Sequence, residues 1–119
     1  MTNKSLLTAS HVRYLLALKR LNCANGIKGS DIAAELNLSK PSVHNMMDTF
    51  LFMEYIEKEH GGQVFLTEYG LQRATFFEEQ YNKIKCKLFS TNDTDESVDR
   101  AIYAMIAELS DEGIRCLAC

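Results

Sequence analysis

Apolar residues recur at helical spacing through the first half of this chain of 119 residues. Between residues 10 and 22 they fall mainly three and four positions apart, which predicts an amphipathic helix. A second, shorter helix is predicted to begin at Ser30, a natural N-cap residue. Ser39 is a natural N-cap for a third helix, whose first turn tolerates Pro41 because the amides there have no partner within the helix.

The third predicted helix has two different faces. One face is apolar and is formed by Val43, Met46, Met47, Phe50 and Leu51, which are spaced at helical intervals. The opposite face of its first two turns is polar and is formed by Lys40, Ser42, His44 and Asn45. A short helix, a tight turn and a second helix with polar residues in its first turns are typical of a helix-turn-helix.

The period then changes from helical to extended. Residues 55–58 and 63–66 have the composition of two short strands, and Gly61-Gly62 between them supplies the backbone angles of a hairpin turn. A two-stranded hairpin is marginally stable by itself, so it must pack on the helices. The pattern therefore predicts a mostly α-helical chain with a winged helix-turn-helix, in which the hairpin is a two-stranded wing.

Two further helices are predicted after the wing. Thr67 can cap a long helix that runs to about Phe89, and a loop over residues 90–97 leads to a final helix over residues 98–112, ended by Gly113. The apolar and aromatic residues of the long helix follow a heptad spacing and are Ala74, Phe77, Tyr81, Ile84 and Leu88. The apolar stripe of the final helix includes Ile102, Ile106 and Leu109. Both helices are therefore expected to pack lengthwise on another helix.

A second copy of the chain is the usual partner for such helices beside a winged helix. We therefore predict a winged helix-turn-helix DNA-binding domain over residues 1–74 and a helical dimerisation region over residues 75–119. The net charge is −3, but residues 1–53 carry six Lys or Arg against three acids, whereas residues 75–119 carry five against nine. A locally basic surface can neutralise phosphates even when the whole chain is acidic. Double-stranded DNA is the expected partner of the first region.

Other classes of protein are disfavoured by what the sequence lacks. No apolar run approaches the ~20 residues needed to cross a bilayer, and the N-terminus does not resemble a secretory signal, so we expect a cytoplasmic protein without a membrane partner. No nucleophile elbow, HExxH motif or phosphate-binding glycine loop occurs, so we expect no enzyme activity. Free thiols are expected at Cys23, Cys86, Cys116 and Cys119, and the C-x-x-C spacing of the last two leaves half a zinc site or a redox pair open.

Several segments resemble one family of regulators. They are the run GSDIAAELNLSKPSV from Gly29 to Val43, the pair Tyr55-Ile56, the run LTEYG from Leu66 to Gly70, and Ser110-Asp111-Glu112. Over about residues 8–112 the chain resembles the iron- and manganese-dependent repressors of the diphtheria toxin repressor and manganese transport regulator group. The multiple-antibiotic-resistance regulators share part of this pattern. The resemblance implies a transcriptional regulator, expected to be a repressor, that binds a palindromic operator as a homodimer.

The resemblance also implies DNA contacts in and around the third helix. The residues at the family's operator-contacting positions are Ser39, Pro41, Ser42, His44 and Asn45. Ser39 and Ser42 are expected to position phosphates, and Asn45 to bind a base edge, because an amide pairs bidentately with adenine. His44 is expected at a phosphate or a base. Electrostatic affinity is expected from Lys28 and Lys40, and from Lys58 and His60 on the wing.

The metal chemistry of that family is not matched. Its members bind an activating ion through acidic, His or Met side chains, and an ungapped alignment puts Arg13, Leu16, Tyr81, Tyr103, Ile106 and Ala107 at those positions. None of the six is a favoured ligand of divalent metals, and the Arg13 guanidinium would repel a cation. We therefore expect no metal site and no cofactor, although the resemblance itself implies a divalent metal.

Two other functions stay open at this point. The long helix is rich in aromatic residues and carries Cys86, which allows a regulator of the antibiotic-resistance type that responds to a small-molecule effector or to thiol oxidation. A winged-helix module that binds a protein instead of DNA is the other alternative. The basic first half of the chain argues against that second alternative.

Overall fold

The computed structural model describes residues 7–89, 95–109 and 111–118, which contain six α-helices and one two-stranded sheet. In chain order the elements are α1 (Ala9–Leu21), α2 (Gly29–Leu36), α3 (Lys40–Phe52), β1 (Ile56–Lys58), β2 (Val64–Leu66), α4 (Glu68–Leu88), α5 (Glu96–Glu108) and α6 (Asp111–Ala118). The mostly helical composition and the two-stranded wing are as predicted. Among the described helices, none combines the length and the apolar character that a membrane span requires.

The chain divides into two compact units. The winged-helix unit is Tyr14–Thr75, and the terminal unit consists of the described parts of Met1–Arg13 and Phe76–Cys119. The predicted division between residues 74 and 75 lies close to one of these boundaries. The predicted division differs at the N-terminus, where the first residues of α1 group with the terminal unit. Apolar periodicity indicates which residues of α1 are buried, but it does not indicate which unit buries them.

A reciprocal cap begins α1. The backbone N–H of His11 donates to Oγ1 of Thr8 at 3.3 Å, and the backbone N–H of Thr8 donates to Nδ1 of His11 at 3.2 Å. This is the arrangement of a capping box, with an imidazole nitrogen in the place of the usual Glu or Gln oxygen. The helix that follows buries Val12, Leu15, Ala17 and Leu18 completely.

The predicted helix-turn-helix is formed by α2 and α3. Asn37 ends α2 in the left-handed conformation, with φ at 55°, which Asn tolerates better than most residues other than Gly. The chain can therefore turn within three residues and begin α3 at Lys40. The buried stripe of α2 consists of Ile32, Ala33 and Leu36, as its spacing predicts.

The predicted start of α2 is wrong. Lys28, in extended backbone, is the N-cap residue, and Ser30 lies inside the first turn of the helix. The cause is the residue before the cap: Ile27 exchanges two backbone hydrogen bonds with Val64 of the wing, at 2.8 and 2.9 Å. This pairing holds Ile27 in an extended conformation, so the helix begins directly after it.

The wing is a short antiparallel hairpin. Ile56 is opposite Leu66 and Lys58 is opposite Val64, which puts the buried Ile56 and Val64 on the side of the core. Gly62 adopts a φ of 89° in the turn, a backbone conformation that favours glycine. The bridge between Ile27 and Val64 extends the hairpin by one further pairing, so the wing is joined to the segment that leads into α2.

Aromatic rings form the centre of the winged-helix unit. The ring of Phe50 is fully buried and meets the rings of Tyr14 and Tyr55 edge to face, with centroids 6.2 and 5.3 Å apart. Tyr55 also stacks on Tyr69 at 5.4 Å. Such pairs add to the free energy of burying large rings, so this cluster joins α1, α3, the wing and the start of α4.

The start of α4 is fixed by Thr67, as predicted. Its Oγ1 accepts a hydrogen bond from the backbone N–H of Gly70 at 2.9 Å and donates to the carbonyl of Glu54 at 2.7 Å. Gly70 packs directly against the backbone carbonyl of Tyr55, where a Cβ atom would have no space. The glycine therefore allows α4 to approach the backbone that leads into the wing.

The terminal unit combines a buried apolar core with a polar cluster at its edge. The side chains buried completely in this unit include Phe77, Ile84, Ile102, Ile106 and Ile114. The hydroxyl of Tyr81 donates to Asp99 at 2.6 Å and accepts from Nζ of Lys85 at 3.2 Å. Its ring stacks on that of Tyr103, with centroids 5.7 Å apart. This cluster joins α4 to α5.

The prediction of one final helix over residues 98–112 is wrong. The structure has two helices there: α5 ends at Glu108, Leu109 is extended, and α6 runs from Asp111 to Ala118. Gly113, predicted to end a helix, lies inside α6, because a helix interior tolerates glycine at a cost of only about 1 kcal/mol. Ser110 of the resembling segment lies outside the described residues. The break is at Leu109, which no Gly or Pro marks in the sequence.

Replacing Gly70 by Ala is expected to lower the free energy of unfolding by about 2–3 kcal/mol, because the added methyl group overlaps the Tyr55 carbonyl. The matched control is Gly29→Ala at the start of α2, where a Cβ meets nothing within 4 Å. The control is expected to be neutral or to stabilise by up to about 1 kcal/mol. Urea unfolding followed by circular dichroism measures both; equal stability of the two variants would contradict the close approach.

Replacing Tyr81 by Phe is expected to cost about 1–2 kcal/mol near pH 8, because the hydrogen bond to Asp99 is lost. Burial raises the pKa of Tyr81 above its usual value, and the hydrogen bond to Asp99 raises the pKa further. As the pH rises past about 10 the unfolded chain releases this proton first, so the stabilisation is complete below pH 10 and is lost above it. The difference in unfolding free energy between wild type and variant should therefore narrow from pH 9 to pH 11; a constant difference would contradict this assignment.

Candidate nucleic-acid interface

The polar face of α3 is on the surface of the winged-helix unit. Val43, Met47 and Phe50 are buried, and this burial fixes the rotation of the helix about its axis. The opposite face is exposed and carries Lys40, Pro41, Ser42, His44 and Asn45. The two-faced pattern read from the sequence is therefore present, but of the predicted apolar face Met46 is half-buried and Leu51 is exposed. It presents hydrogen-bonding side chains in the first two turns, where a recognition helix contacts base edges.

The N-terminus of α3 is already partly satisfied by its own cap. Ser39 is the N-cap residue, and its Oγ accepts from the backbone N–H of Ser42 at 3.3 Å and donates to the Ser42 hydroxyl at 2.9 Å. Pro41 has no amide hydrogen to offer. A phosphate at this end would therefore be bound mainly by the two serine hydroxyls and by the Lys40 side chain.

A shallow groove lies between the helix-turn-helix and the wing. Its volume is about 210 Å³, and its lining includes Gly29, Lys40, His44, Met47, Lys58 and Val64. The groove brings together three of the predicted DNA-binding side chains, those of Lys40, His44 and Lys58. The other six predicted residues are exposed outside this lining: Lys28, Ser39, Pro41, Ser42, Asn45 and His60.

Asp48 is a charged residue of this surface that the sequence reasoning missed. Its Oδ2 lies 3.5 Å from Nε2 of His44, one helical turn earlier, and its Oδ1 lies 3.4 Å from Nζ of Lys58 on the wing. The spacing of His44 and Asp48, four residues apart on a helix, is a signal that could have revealed the first contact. The second contact depends on how the wing packs on α3, which local spacing does not indicate.

Ion pairs also change the charge available in the basic half of the chain. Nε of Arg20 lies 3.0 Å from Glu35, which joins α1 to α2 and compensates one of the six basic residues counted there. Within the described ranges, no ion pair is formed by Lys28, Lys40 or His60. Lys28 and Lys40 are therefore the cations of the surface with the greatest capacity to neutralise phosphate.

The positions at which the resembling family binds metal do not fit a divalent cation. Leu16, Ile106 and Ala107 are buried apolar residues. Tyr81 and Tyr103 stack on each other, and the ammonium of Lys85 lies 3.5 Å from Asp99 beside them. Nowhere in the described parts of the chain do three His, Cys, Asp or Glu side chains come together. The donors that hard or borderline cations require are not assembled here.

The predicted dimerisation residues differ in how accessible they are. Five of them have no exposed surface within the single chain: Ala74, Phe77, Ile84, Ile102 and Ile106. Tyr81 is half-buried, whereas Leu88 and Leu109 are exposed by 50% and 37%. Much of the heptad stripe is therefore covered by the chain itself. The exposed leucines are the members of the set that a second copy could cover.

Two of the four predicted free thiols lie in the part of the chain whose side chains the structure describes. Cys23 and Cys86 are free and exposed, and the Cys23 thiol donates to the Gly26 carbonyl at 3.2 Å. The side chain of Cys116 and the whole of Cys119 lie outside the described residues. The terminal C-x-x-C pair therefore stays a prediction.

Comparisons with known proteins extend this description of the fold. No protein-family model matches the chain, and no curated protein matches it. A hypothetical protein from Sulfolobus solfataricus matches with a TM-score of 0.66 and 21% identity, over 93% of this chain and 86% of that one. The structure of T. acidophilum IdeR, an iron-dependent repressor, matches with a TM-score of 0.59 and 20% identity over 87% of this chain, which spans only 51% of that chain. At these identities the likeness shows the fold alone, which contains a winged helix.

Proposed function

We propose that this chain is a DNA-binding transcriptional regulator, not an enzyme, and that it binds a palindromic operator as a homodimer. The observation that carries the proposal is the exposed polar face of α3, held outward by the burial of Val43, Met47 and Phe50. The similarity in fold to an iron-dependent repressor supports it. Such a regulator acts on chromosomal DNA and is therefore placed in the cytoplasm, where it represses transcription by occupying its operator.

The contacts divide between bases and backbone. With α3 in the major groove, the Asn45 amide pairs with an adenine edge, while the hydroxyls of Ser39 and Ser42 bind phosphates. Lys28 and Lys40 supply electrostatic affinity from the helix-turn-helix, and Lys58 and His60 place the wing on the flanking backbone. Because phosphate contacts are independent of sequence, specificity depends on α3.

Dimerisation doubles the contact with DNA. Two copies related by a two-fold axis would present their α3 helices to half-sites about 34 Å apart, one turn of B-DNA. The exposed leucines Leu88 and Leu109 are available for contact between the copies. Affinity for a palindromic operator then depends on both the α3 surface and the terminal unit.

A protein-binding module is the second candidate, and one observation favours it. Phe52, at the C-terminal end of α3, is exposed by 82%, and the neighbouring Leu51 is exposed by 36%. Exposed aromatic side chains of this kind are typical of protein interfaces. A module of this type would use the end of α3 and not its first turns.

Replacing Asn45 by Ala is expected to weaken binding to a selected operator by about 1–3 kcal/mol and to relax specificity at one base pair, because a bidentate base contact is lost. Lys40→Ala, the matched variant five residues earlier, is expected to weaken all sequences alike, because it removes a phosphate contact. Fluorescence anisotropy with the operator and a scrambled duplex measures both. Equal loss on the two duplexes in the Asn45 variant would remove Asn45 as a base reader.

Operator affinity is expected to be the same in EDTA and in Mn²⁺, Fe²⁺ or Zn²⁺, because the donor set at the family's metal positions does not fit these ions. Selection of bound duplexes from a random pool, with and without metal, identifies the operator and also tests whether metal changes the affinity.

Operator affinity should fall steeply with salt, with a log–log slope of about −0.9 per neutralised phosphate. A flat salt dependence would favour the protein-binding module, and stoichiometric metal binding that raises affinity would overturn metal independence.

A further inference from the structure

An acidic residue occupies the middle of the basic surface proposed to bind DNA. Asp48 lies on α3 one turn after His44 and three residues after Asn45, and its side chain is exposed by 55%. The sequence places three acids among the first 53 residues, and this one lies on the helix proposed to enter the major groove. Its carboxylate faces both His44 and the wing residue Lys58.

The contact with Lys58 changes what the wing can do. Nζ of Lys58 donates a hydrogen bond to Oδ1 of Asp48 at 3.4 Å, so the two form a hydrogen-bonded ion pair. A lysine releases counterions from DNA when its ammonium neutralises a phosphate. A lysine whose ammonium is already paired with a carboxylate contributes less to this release. A phosphate at the wing must therefore compete with the Asp48 carboxylate for Lys58.

The carboxylate also discriminates among the groups that DNA presents. An ionised carboxylate only accepts hydrogen bonds, so it repels phosphate oxygens and is satisfied by the amino groups of bases, the N4 amine of cytosine above all. A complex with arbitrary sequence brings phosphates toward this surface and supplies that donor only by chance. A complex with a matched site can supply it and can release Lys58 to the backbone.

We propose that Asp48 is a specificity-determining residue, which lowers affinity for DNA of arbitrary sequence by holding Lys58 and by repelling phosphate. This inference rests on the proposed function, since it concerns the same surface. Its consequence is that removing the charge strengthens binding to DNA in general and weakens the preference for the operator. Neutralising a surface acid that lies away from the DNA contact would change neither the general affinity nor the preference for the operator.

The test compares Asp48→Asn with wild type on a duplex selected from a random pool and on a scrambled duplex. On the scrambled duplex the variant should bind roughly 5- to 10-fold more tightly at 0.1 M salt, with a log–log salt slope steeper by about 0.9 per protomer, because Lys58 gains a phosphate. The ratio of operator to scrambled affinity should fall by about fivefold or more, because the base contact loses its charge assistance while binding to every sequence is strengthened. Thermal unfolding confirms that the variant is folded.

Two further variants separate the causes. Glu79→Gln changes the net charge by the same amount on the exposed side of α4, and it should leave affinity and slope unchanged. In a Lys58→Ala background, Asp48→Asn should give a smaller gain on the scrambled duplex, because the repulsion of phosphate is relieved but the cation that it would release is missing. This double-mutant cycle measures the coupling between the two side chains.

Each failure has a distinct meaning. If wild type shows no salt-dependent binding to either duplex, the proposed function is wrong. If wild type binds but Asp48→Asn behaves like Glu79→Gln, the role of Asp48 is overturned while the function stands. Equal gains on both duplexes would remove its part in specificity, and a full gain in the Lys58→Ala background would show that it does not act through Lys58.

Discussion

The burial of Phe50 determines how α3 is presented. Its ring meets the rings of Tyr14 in α1 and Tyr55 just before β1 edge to face, so one side chain joins three segments of the winged-helix unit. A helix advances about 100° per residue, so a buried Phe50 places Val43 and Met47 on the same inward side. The polar residues between them must then face solvent. The exposed surface of α3 is thus a consequence of how its apolar face packs.

The wing depends on the same core through two attachments. Ile27 pairs with Val64 along one edge of the hairpin, and the Thr67 hydroxyl donates to the Glu54 carbonyl at its base. A hairpin of two three-residue strands is unstable alone, so these attachments hold it at a defined distance from α3. That distance is what brings Lys58 within 3.4 Å of Asp48. The electrostatics of the candidate interface therefore follow from packing beneath it.

Much of this fold could be predicted from local signals. Helical spacing predicted the buried face of α2 and three of the five apolar residues assigned to the buried face of α3, and capping chemistry predicted Ser39 and Thr67, because both depend on residues a few positions apart. The division of the last helix at Leu109 was missed because the apolar spacing continues across it and no Gly or Pro marks it, although Ser110-Asp111-Glu112 has the composition of a helix start. Heptad spacing likewise shows that Phe77 and Ile84 pack on a helix, but not whether that helix belongs to the same chain.

The candidate site was harder to predict than the fold, for a related reason. Counting charges along the sequence showed a basic first half, and this count treats every cation as available. Arg20 of that half and Lys58 of the wing, however, face acids that lie 15 and 10 residues away along the chain, and only the tertiary packing brings them together. A regulator needs a high ratio of specific to non-specific affinity, not the highest affinity, because competing sites in a genome are so numerous. Ion pairs between cations and acids of the same surface would raise that ratio, since they reduce the electrostatic affinity that is the same for every DNA sequence.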